Sequence, residues 1–288
     1  MTESSTALRY GAVFDTVAAD YDRHRPIYPD ELIGLACQAG GLAAGDRVLE
    51  IGCGTGQLTR SLVARGQSVI AVEPGQNLIS LARQVAPAVD FVNRRFEDAE
   101  LPDPFVGAFC ASAFHWLDPD VSWRKVARSL RPGGVLALIQ YCGVDHPDTA
   151  ADADALLSAI RATAPEIAGE WPPLRDLDTI LSGVRDRRAN ISEVWAWLTG
   201  RPVARSHAAE LFDDAEIAVV PSVVEQSTDE LNALLRTTSL YPRLSAHQRR
   251  ALEQANRDIG ERLDRPIRSS MLAVLVTARR SLDSPAAR

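Results

Sequence analysis

The feature that most constrains the fold is an alternation of short apolar runs with amphipathic stretches across residues 46–142. This alternation is typical of βαβ units, in which parallel strands form a sheet covered by helices. The predicted strands lie at residues 47–52, 68–73, 89–93, 105–112 and 134–141. The predicted helices between them lie near residues 57–65, 76–86 and 120–130, and the last ends at "RPGG", where proline and glycine stop a helix. The pattern predicts an α/β fold with a mainly parallel sheet.

Helix and strand patterns continue on both sides of this core. Predicted helices cover residues 14–22, 29–40, 228–236 and 246–263, and predicted strands cover residues 216–226 and 270–278. Pro221 cannot donate a hydrogen bond to a neighbouring strand, so the strand at 216–226 is expected at a sheet edge or with a bulge. The tetrapeptide "SAHQ" at residues 245–248 has the form of a helix-capping box. Residues 145–205 contain five prolines and no βαβ pattern, which predicts an inserted helical cap.

Composition narrows the class of protein. The chain has 288 residues, enough for one large α/β domain or two small ones, and its net charge of -7 argues against nucleic acid as a partner. The four cysteines are widely spaced, without a C-x-x-C or a histidine at ligand spacing, so neither a metal site nor a disulfide framework is predicted. A reducing, cytoplasmic compartment is the expectation. No signal peptide is expected, because the N-terminus lacks a basic start followed by an apolar stretch, and no membrane span is expected, because no apolar run approaches about 18 residues.

The stretch "VLEIGCGTGQL", residues 48–58, carries an apolar strand into a turn with three glycines. Glycine lets the backbone bend sharply and approach a ligand, and the following helix directs free N–H groups at it. Gly52 and Gly54 fit the dinucleotide pattern G-x-G-x-x-G, but Gln57 occupies the place of its third glycine. Glu73 lies 17 residues past Gly56, where a carboxylate can accept both hydroxyls of a ribose. A ligand with a ribose and no pyrophosphate therefore fits better than a dinucleotide.

Five motifs follow one another at characteristic spacings: "VLEIGCGTGQLT", "AVEPG", "RFEDAEL", "AFHWLDPD" and "LRPGGVLAL". Together they resemble the class I S-adenosylmethionine-dependent methyltransferases, in the small-molecule branch. The N-terminal "FDTVAADYDRHRPIYP" resembles the lid segment of that branch. The resemblance covers residues 14–141 and implies S-adenosyl-L-methionine as the cofactor. It also implies methyl transfer to an oxygen, nitrogen or carbon nucleophile of a small organic acceptor. An aromatic or indole-like acceptor from specialised metabolism is one expectation.

The implied fold is a Rossmann-like, seven-stranded, mostly parallel sheet with helices on both faces, an antiparallel last strand and an inserted helical cap. Four regions are expected: lid helices at 1–45, the cofactor-binding core at 46–142, the cap and substrate region at 143–212, and the final strands and helices at 213–288. A small molecule is the expected partner, and the chain is expected to act as a monomer or homodimer.

The resemblance also implies roles for individual residues. Glu50 would organise the glycine turn, Glu73 would hold the ribose, and adenine would sit near residues 96–98. Arg94 and Arg95 stand where related sequences often have Gly-Asp, so the acid that meets the adenine amine stays open. The implied cofactor-binding residues are Tyr21, Arg25, Glu50, Gly52, Gly54, Gly56, Gln57, Glu73, Phe96, Glu97, Asp98 and Ser112.

The predicted catalytic residues are His115 and Tyr21. His115 follows the fourth predicted strand, where it can act as a general base or can pack beside Trp116 and position the substrate. The predicted substrate-binding residues are Tyr28, Trp116, Tyr141 and Trp195. Trp195 and Trp197 cannot share a helix face, so one is expected to enter the core. Cys53 is expected to be structural.

Three alternatives stay open at this stage. The cluster "VRDRRAN" at 184–190 either forms a solvated face or attracts an anionic substrate. A nicotinamide-dependent oxidoreductase would share the first βαβ unit, although the missing third glycine and "LRPGG" count against it. A non-catalytic cofactor-binding module of the same fold would have the same motifs.

Overall fold

In the computed structural model, which describes residues 13–102, 104–169, 173–200 and 208–282, seven strands form a single sheet. The strands are β1 (Arg47–Ile51), β2 (Ser68–Val72), β3 (Asp90–Val92), β4 (Phe105–Ala111), β5 (Leu130–Gly143), β6 (Glu216–Gln226) and β7 (Ile267–Arg279). Their order across the sheet is β3-β2-β1-β4-β5-β7-β6, and β7 runs antiparallel to both of its neighbours. The predicted Rossmann-like sheet with an antiparallel last strand is confirmed.

Helices cover both faces of this sheet. They are α1 (Val13–Thr16), α2 (Ala18–His24), α3 (Asp30–Gly40), α4 (Gln57–Ala64), α5 (Gln76–Val85), α6 (Pro119–Ser129), α7 (Ala150–Thr163), α8 (Pro165–Ala168), α9 (Leu177–Arg185), α10 (Ile191–Thr199), α11 (Ala208–Leu211), α12 (Thr228–Arg236) and α13 (Ala246–Leu263). The bounds of α12 and α13 agree with the prediction residue for residue. Both begin at a capping box: Ser227 with Glu230, and Ser245 with Gln248.

The central strands are apolar because both of their faces are buried. Val48 and Leu49 of β1 point to opposite faces and are both fully buried. Helices α3, α4 and α5 pack on the face of Val48, whereas α6 and α10 pack on the face of Leu49. Because β1 runs parallel to both β2 and β4, the carboxyl ends of these three strands lie at one edge of the sheet.

The start of β5 differs from the prediction. The strand begins at Leu130, four residues before the predicted start, and Leu130 already pairs with Phe105 of β4. The register shifts between Phe105 and Gly107, so "RPGG" forms an irregularity inside the strand pair. A Cβ atom at Gly134 would lie 3.1 Å from the carbonyl oxygen of Val106, so the close strand approach depends on glycine here.

The edge strand carries the predicted proline. Strand β6 lies at the sheet edge, and Pro221 stands opposite Leu272 of β7. The free edge of β6 has no partner strand among the described residues, so a residue without an N–H group is tolerated there. The prediction of an edge position for Pro221 is confirmed.

The stretch between β5 and β6 is helical, and its helices divide between two apolar clusters. Helix α7 packs against α13 and the start of β7. Helices α9, α10 and α11 pack instead on the sheet face that also carries α6. Buried Asp152 fixes α7 through two 2.7 Å hydrogen bonds from the Arg265 guanidinium and one of 2.8 Å from the Arg268 N–H. The arrangement places α9 and α10 beside the carboxyl end of β5.

Candidate active site

The glycine turn follows β1 directly. Gly52, Gly54 and Gly56 have φ angles of +69°, +55° and +87°, in the left-handed region that favours glycine. A Cβ atom at Gly52 would lie 2.5 Å from the Cβ atom of Ala113, so the turn is packed tightly against the segment that follows β4. Helix α4 begins at Gln57 and has no side-chain cap at its N-terminus. The first amides of α4, at the carboxyl edge of the sheet, are therefore not capped by a side chain of the preceding residue.

The Glu73 carboxyl group connects the glycine turn, which follows β1, to the turn that follows β2. Its Oε2 accepts a hydrogen bond from the Gly54 N–H (3.1 Å), and its Oε1 accepts one from the Gly75 N–H (2.9 Å). Burial raises the pKa of Glu73 to about 7, against the opposing influence of these two amides. Each carboxylate oxygen retains a further lone pair. Glu73 can therefore hold both turns and still accept hydrogen bonds from a ligand.

Glu50 is a second buried acid at the same turn. Its side chain is 1% exposed, and its Oε2 atom has no hydrogen-bond partner among the described residues. Burial raises the pKa of Glu50 to about 8, opposed by Thr59 in the first turn of α4. An unpaired buried acceptor of this kind is uncommon in folded proteins. Glu50 lines the cavity beside Gly52 and Gly54, where its carboxyl group can accept a hydrogen bond from a polar ligand.

These two carboxyl groups predict a pH dependence of stability. Their folded pKa values of about 8 and 7 exceed the ordinary value of 4.5, so folding favours the protonated forms. Their contribution is complete below pH 4.5 and is lost as the pH rises towards 8, with a slope of at most about 1.4 kcal/mol per pH unit for each group. In the Glu50→Gln variant, the free energy of unfolding should fall less steeply with pH, because the contribution of one group is removed. Urea unfolding between pH 5 and 8 measures this slope.

The exposed Glu31 of α3 provides the matched control for this experiment. The Glu31→Gln variant should retain the wild-type dependence of unfolding free energy on pH. An unfolding free energy of Glu50→Gln that falls with pH as steeply as the wild type would contradict the assignment to Glu50.

Residues 13–28, called here the covering segment, lie over the glycine turn. A Cβ atom at Gly54 would lie 4.0 Å from Cε1 of Tyr21, whose ring also contacts Phe14 at 5.6 Å between centroids. Asp15 attaches this segment to α5 by accepting the N–H groups of Asn77 (2.7 Å) and Leu78 (3.2 Å). Tyr21 also lines the cavity beside the turn, which measures about 20 Å³. That volume corresponds to about one water molecule, so the structure describes a closed state of this edge.

Two predicted cofactor residues hold the covering segment in place. Arg25 donates from Nε to the Thr237 hydroxyl (3.1 Å) and from Nη2 to the Thr237 carbonyl oxygen (2.7 Å), beyond the end of α12. Its guanidinium lies 5.0 Å from the centroid of the Tyr21 ring. Gln57 donates from Nε2 to the carbonyl oxygen of Arg25 at 3.5 Å. Arg25 and Gln57 thus connect the segment to α12 and to the glycine turn.

Three predicted residues meet at the ends of β4 and β5. The Tyr28 hydroxyl donates to Oγ of Ser112 (3.0 Å), and the Tyr28 and Tyr141 rings stack at 5.8 Å. The Tyr141 hydroxyl donates to the carbonyl oxygen of Ile27 (2.8 Å). Ser112 has a φ angle of +52°, a strained conformation for a residue other than glycine. Strain of this kind is concentrated at functional sites, which makes the Ser112 position a candidate for acceptor contact.

His115 and Trp116 lie in a short 3₁₀ turn, Phe114–Trp116, directly after this point. Their rings are 4.7 Å apart, and Trp116 also contacts Phe14 of the covering segment at 5.6 Å. The structure therefore brings both residues to the predicted edge. Packing beside Trp116 agrees with one of the two interpretations made for His115, and its role as a base stays a proposal.

The predicted adenine residues are only partly available to a ligand. Phe96 is 2% exposed and packs in the apolar core, and its predicted contact with adenine stays a prediction. Glu97 accepts the Asp118 N–H (2.8 Å) and pairs with Arg95 (3.3 Å), so its carboxylate holds the start of α6. Asp98 is exposed and has no such partner in the described part of the chain.

The two tryptophans of α10 separate as predicted, and one assignment needs correction. Trp195 is 4% exposed in the apolar core and does not line the cavity, so its predicted contact with substrate becomes a packing role. Trp197 is half-buried and lies against the backbone of α9 at Gly183. The difference arises because the face of α10 that carries Trp195 packs on the sheet.

Sequence reasoning missed three residues that shape this edge. They are Asp15, which binds the start of α5, Thr237, which receives Arg25, and Asn93, whose side-chain amide donates to the Glu73 carbonyl oxygen at 3.0 Å. Asn93 follows β3 and carried a usable signal, since polar residues after parallel strands reach this edge. The described residues contain no group of three or more His, Cys, Asp or Glu side chains that could hold a metal ion. They also contain no helix long and apolar enough to span a membrane.

Comparison with known proteins agrees with this geometry. Residues 49–138 match the model of a family described as a methyltransferase domain. An uncharacterized methyltransferase of Mycobacterium bovis is 40% identical over 127 residues, which are 44% of this chain and 51% of the relative. The trans-aconitate 2-methyltransferase of Methylobacterium nodulans is 32% identical over 161 residues, 55% of this chain and 57% of the relative. The chain thus spans about half the length of these curated relatives.

Solved structures extend the likeness to most of the chain. A protein of Anaeromyxobacter dehalogenans, described provisionally as a type II methyltransferase, is 25% identical, with a TM-score of 0.53 over 90% of this chain and 98% of that one. The YcgJ protein of Bacillus subtilis shares the fold at 17% identity, with a TM-score of 0.50 over 87% of this chain and 98% of that one. The glycine turn, the two buried acids and these likenesses agree, and residues 49–138 match the methyltransferase-domain family.

Proposed function

We propose that the chain transfers a methyl group from S-adenosylmethionine to a small organic acceptor. The observation that carries this proposal is the buried Glu73 carboxylate, which joins the amides of Gly54 and Gly75 at the end of β2. A carboxylate there is placed to accept the two hydroxyls of a ribose. The methyltransferase relatives support an adenosine-bearing methyl donor over a dinucleotide.

The residues at the turn fit the chemistry of this cofactor. The uncapped amides at the start of α4 suit its carboxylate, and the unpaired Oε2 of Glu50 offers an acceptor for a hydrogen-bond donor. When bound, S-adenosylmethionine supplies a methyl group on a positively charged sulfur, which leaves as a neutral thioether. Glu73 would fix the ribose and thereby the direction of the methyl group. Alignment of this kind supplies most of the rate enhancement in an in-line displacement.

The acceptor is proposed to lie over the ends of β4 and β5. Tyr28, Tyr141 and the strained Ser112 form one wall there, and His115 lies three residues after Ser112. His115 would take the proton of an oxygen or nitrogen acceptor, and a carbon acceptor would lose its proton in the same place. The relative named as a trans-aconitate 2-methyltransferase supports a small organic acceptor.

Entry of the cofactor requires movement of the N-terminal segment. The cavity of about 20 Å³ beside the turn is far smaller than the several hundred Å³ of ordinary ligand sites, roughly 300–1,000 Å³. Tyr21 and Tyr28 line this cavity and belong to the segment held by Asp15 and Arg25. We propose that this segment opens to admit the cofactor and closes over it, which excludes water from the transfer.

Methyl transfer is tested with methyl-labelled S-adenosylmethionine and the small-molecule fraction of a bacterial extract. The wild-type chain should move label into a small organic compound, and the Glu73→Ala variant should need about 10- to 150-fold more S-adenosylmethionine to do so. Label confined to protein or nucleic acid added to the reaction would contradict the proposed acceptor class. Saturable cofactor binding without any transfer would favour the non-catalytic module.

A further inference from the structure

A guanidinium stacked on Trp197 lies near the carboxyl end of β5. The Arg175 Cζ atom is 3.9 Å from the centroid of the Trp197 ring, and its Nη1 donates to the Trp197 carbonyl oxygen at 2.9 Å. The indole is itself fixed, since its Nε1 donates to the Ile180 carbonyl oxygen (3.2 Å). Stacking and one hydrogen bond thus hold the plane of the Arg175 guanidinium in a defined orientation.

Most of the hydrogen-bonding capacity of Arg175 is unused. A guanidinium has five N–H donors, and one of them is occupied by Trp197. Arg175 forms no ion pair with any carboxylate in the described part of the chain, although its side chain is half-buried. A planar guanidinium with a free edge is the group that binds a carboxylate through two parallel hydrogen bonds.

The position of Arg175 relates it to the proposed acceptor site. Its backbone bridges to Val144 just beyond β5, and the Asp145 N–H donates to its carbonyl oxygen at 3.0 Å. Burial raises the pKa of Cys142 to about 11, and the nearby Arg175 charge acts in the opposite direction. Ile139 is level with Ser112, because the Ser112 N–H donates to its carbonyl oxygen (2.8 Å). Cys142 lies three positions further along β5 than Ile139, a distance of roughly 10 Å along the strand.

Gln140 is a second polar residue, and it lies on β5 between Ile139 and Cys142. Gln140 and Cys142 point to the same face of β5, because side chains alternate along a strand. The Gln140 Oε1 atom is buried and has no hydrogen-bond partner among the described residues. Gln140 and Arg175 thus provide an acceptor and a cation along one side of the strand, leading away from Ser112.

From this arrangement we propose that the methyl acceptor is a small carboxylate anion, held by the Arg175 guanidinium with its reacting end towards Ser112 and His115. The proposal rests on the proposed methyltransferase function. A molecule that spans roughly 10 Å would reach from Arg175 to the end of β4. The Gln140 amide would bind a hydroxyl or second polar group between the two ends. The positive charge of Arg175 is opposite in sign to the net charge of -7 and would favour an anion locally.

Arg187 provides a matched control. Its Cζ atom lies 4.4 Å from the centroid of the same Trp197 ring, so it makes a similar stacking contact. Its Nη1 donates to the Gly183 carbonyl oxygen (2.8 Å), whereas the Arg175 backbone bridges to Val144 beyond β5. Loss of stacking alone should therefore affect Arg175 and Arg187 variants alike, whereas loss of anion binding should affect only Arg175 variants.

Binding is tested by calorimetric titration of the chain, saturated with S-adenosylhomocysteine, with citrate, benzoate and the uncharged benzamide. Either acid should bind at least about tenfold more tightly than benzamide, and Arg175→Met should weaken acid binding about 10- to 100-fold. Arg175→Lys should recover only part of this loss, and Arg187→Met should retain wild-type affinity. Equal loss in both Met variants, or benzamide binding as tight as benzoate, would overturn the proposal.

Turnover provides the second test. A bacterial small-molecule extract is divided by anion exchange, and each fraction is offered with methyl-labelled S-adenosylmethionine. The retained anionic fraction should carry the acceptor, and Arg175→Met should raise its KM about 10- to 100-fold with kcat nearly unchanged. An acceptor found only in the unretained fraction would overturn the proposal. Failure of all methyl transfer would instead contradict the proposed function, and the titration would still decide whether Arg175 binds carboxylates.

Discussion

Replacing Glu73 with alanine is expected to weaken S-adenosylmethionine binding by about 1.5–3 kcal/mol, or about 10- to 150-fold. The variant removes the carboxylate proposed to hold the ribose. It also leaves the N–H groups of Gly54 and Gly75 without their acceptor, so the geometry of both turns is weakened. Titration calorimetry with S-adenosylmethionine measures the loss directly.

The Glu73→Gln variant separates charge from shape. Its amide oxygen can still accept one of the two main-chain N–H groups, whereas its amide nitrogen cannot accept the other. An affinity between those of the wild type and Glu73→Ala is therefore expected. An unchanged affinity in Glu73→Ala would remove Glu73 from the cofactor site.

Replacing Gly52 with alanine is expected to lower the free energy of unfolding by about 2–5 kcal/mol and to abolish measurable cofactor binding. A φ angle of +69° costs an L-residue about 1–2 kcal/mol. The new Cβ atom would also lie 2.5 Å from the Cβ atom of Ala113, a contact that forces the turn and the segment after β4 apart. Overpacking of this kind typically costs a further 1–3 kcal/mol or so.

Gly41 at the end of α3 separates these two costs. Its φ angle is +59°, close to that of Gly52, and a Cβ atom there would have no neighbour within 4 Å. Gly41→Ala should therefore show only the conformational cost, about 1–2 kcal/mol, with normal cofactor affinity. Equal destabilisation of the two variants, measured by urea unfolding, would show that the contact with Ala113 is unimportant.

The parts of the fold that the sequence predicted well carry local signals. Helices α12 and α13 begin at capping boxes, and their predicted bounds agree with the structure. Pro221 predicted an edge strand correctly because proline lacks an N–H group in any context, so this signal does not depend on distant residues. The start of β5 was predicted four residues late, since "RPGG" reads locally as a helix stop and its pairing with Phe105 is a distant contact.

In the candidate site, too, local signals were predicted well and distant contacts were not. Gly52, Gly54 and Glu73 were found from one motif and one spacing, and the structure brings them together. The attachments of the covering segment were missed, because the bonds of Asp15 to α5 and of Arg25 to Thr237 join residues far apart in the chain. Trp195 was assigned to the substrate pocket because its spacing from Trp197 shows that the two rings face apart, but not which of them packs on the sheet.

The glycine turn is proposed to bind S-adenosylmethionine. The most direct test of this proposal is a pair of calorimetric titrations of the wild-type chain, one with S-adenosylhomocysteine and one with NADH. We expect saturable, one-to-one binding of S-adenosylhomocysteine that Glu73→Ala weakens, and no saturable heat with NADH. Saturable binding of NADH without binding of S-adenosylhomocysteine would contradict it.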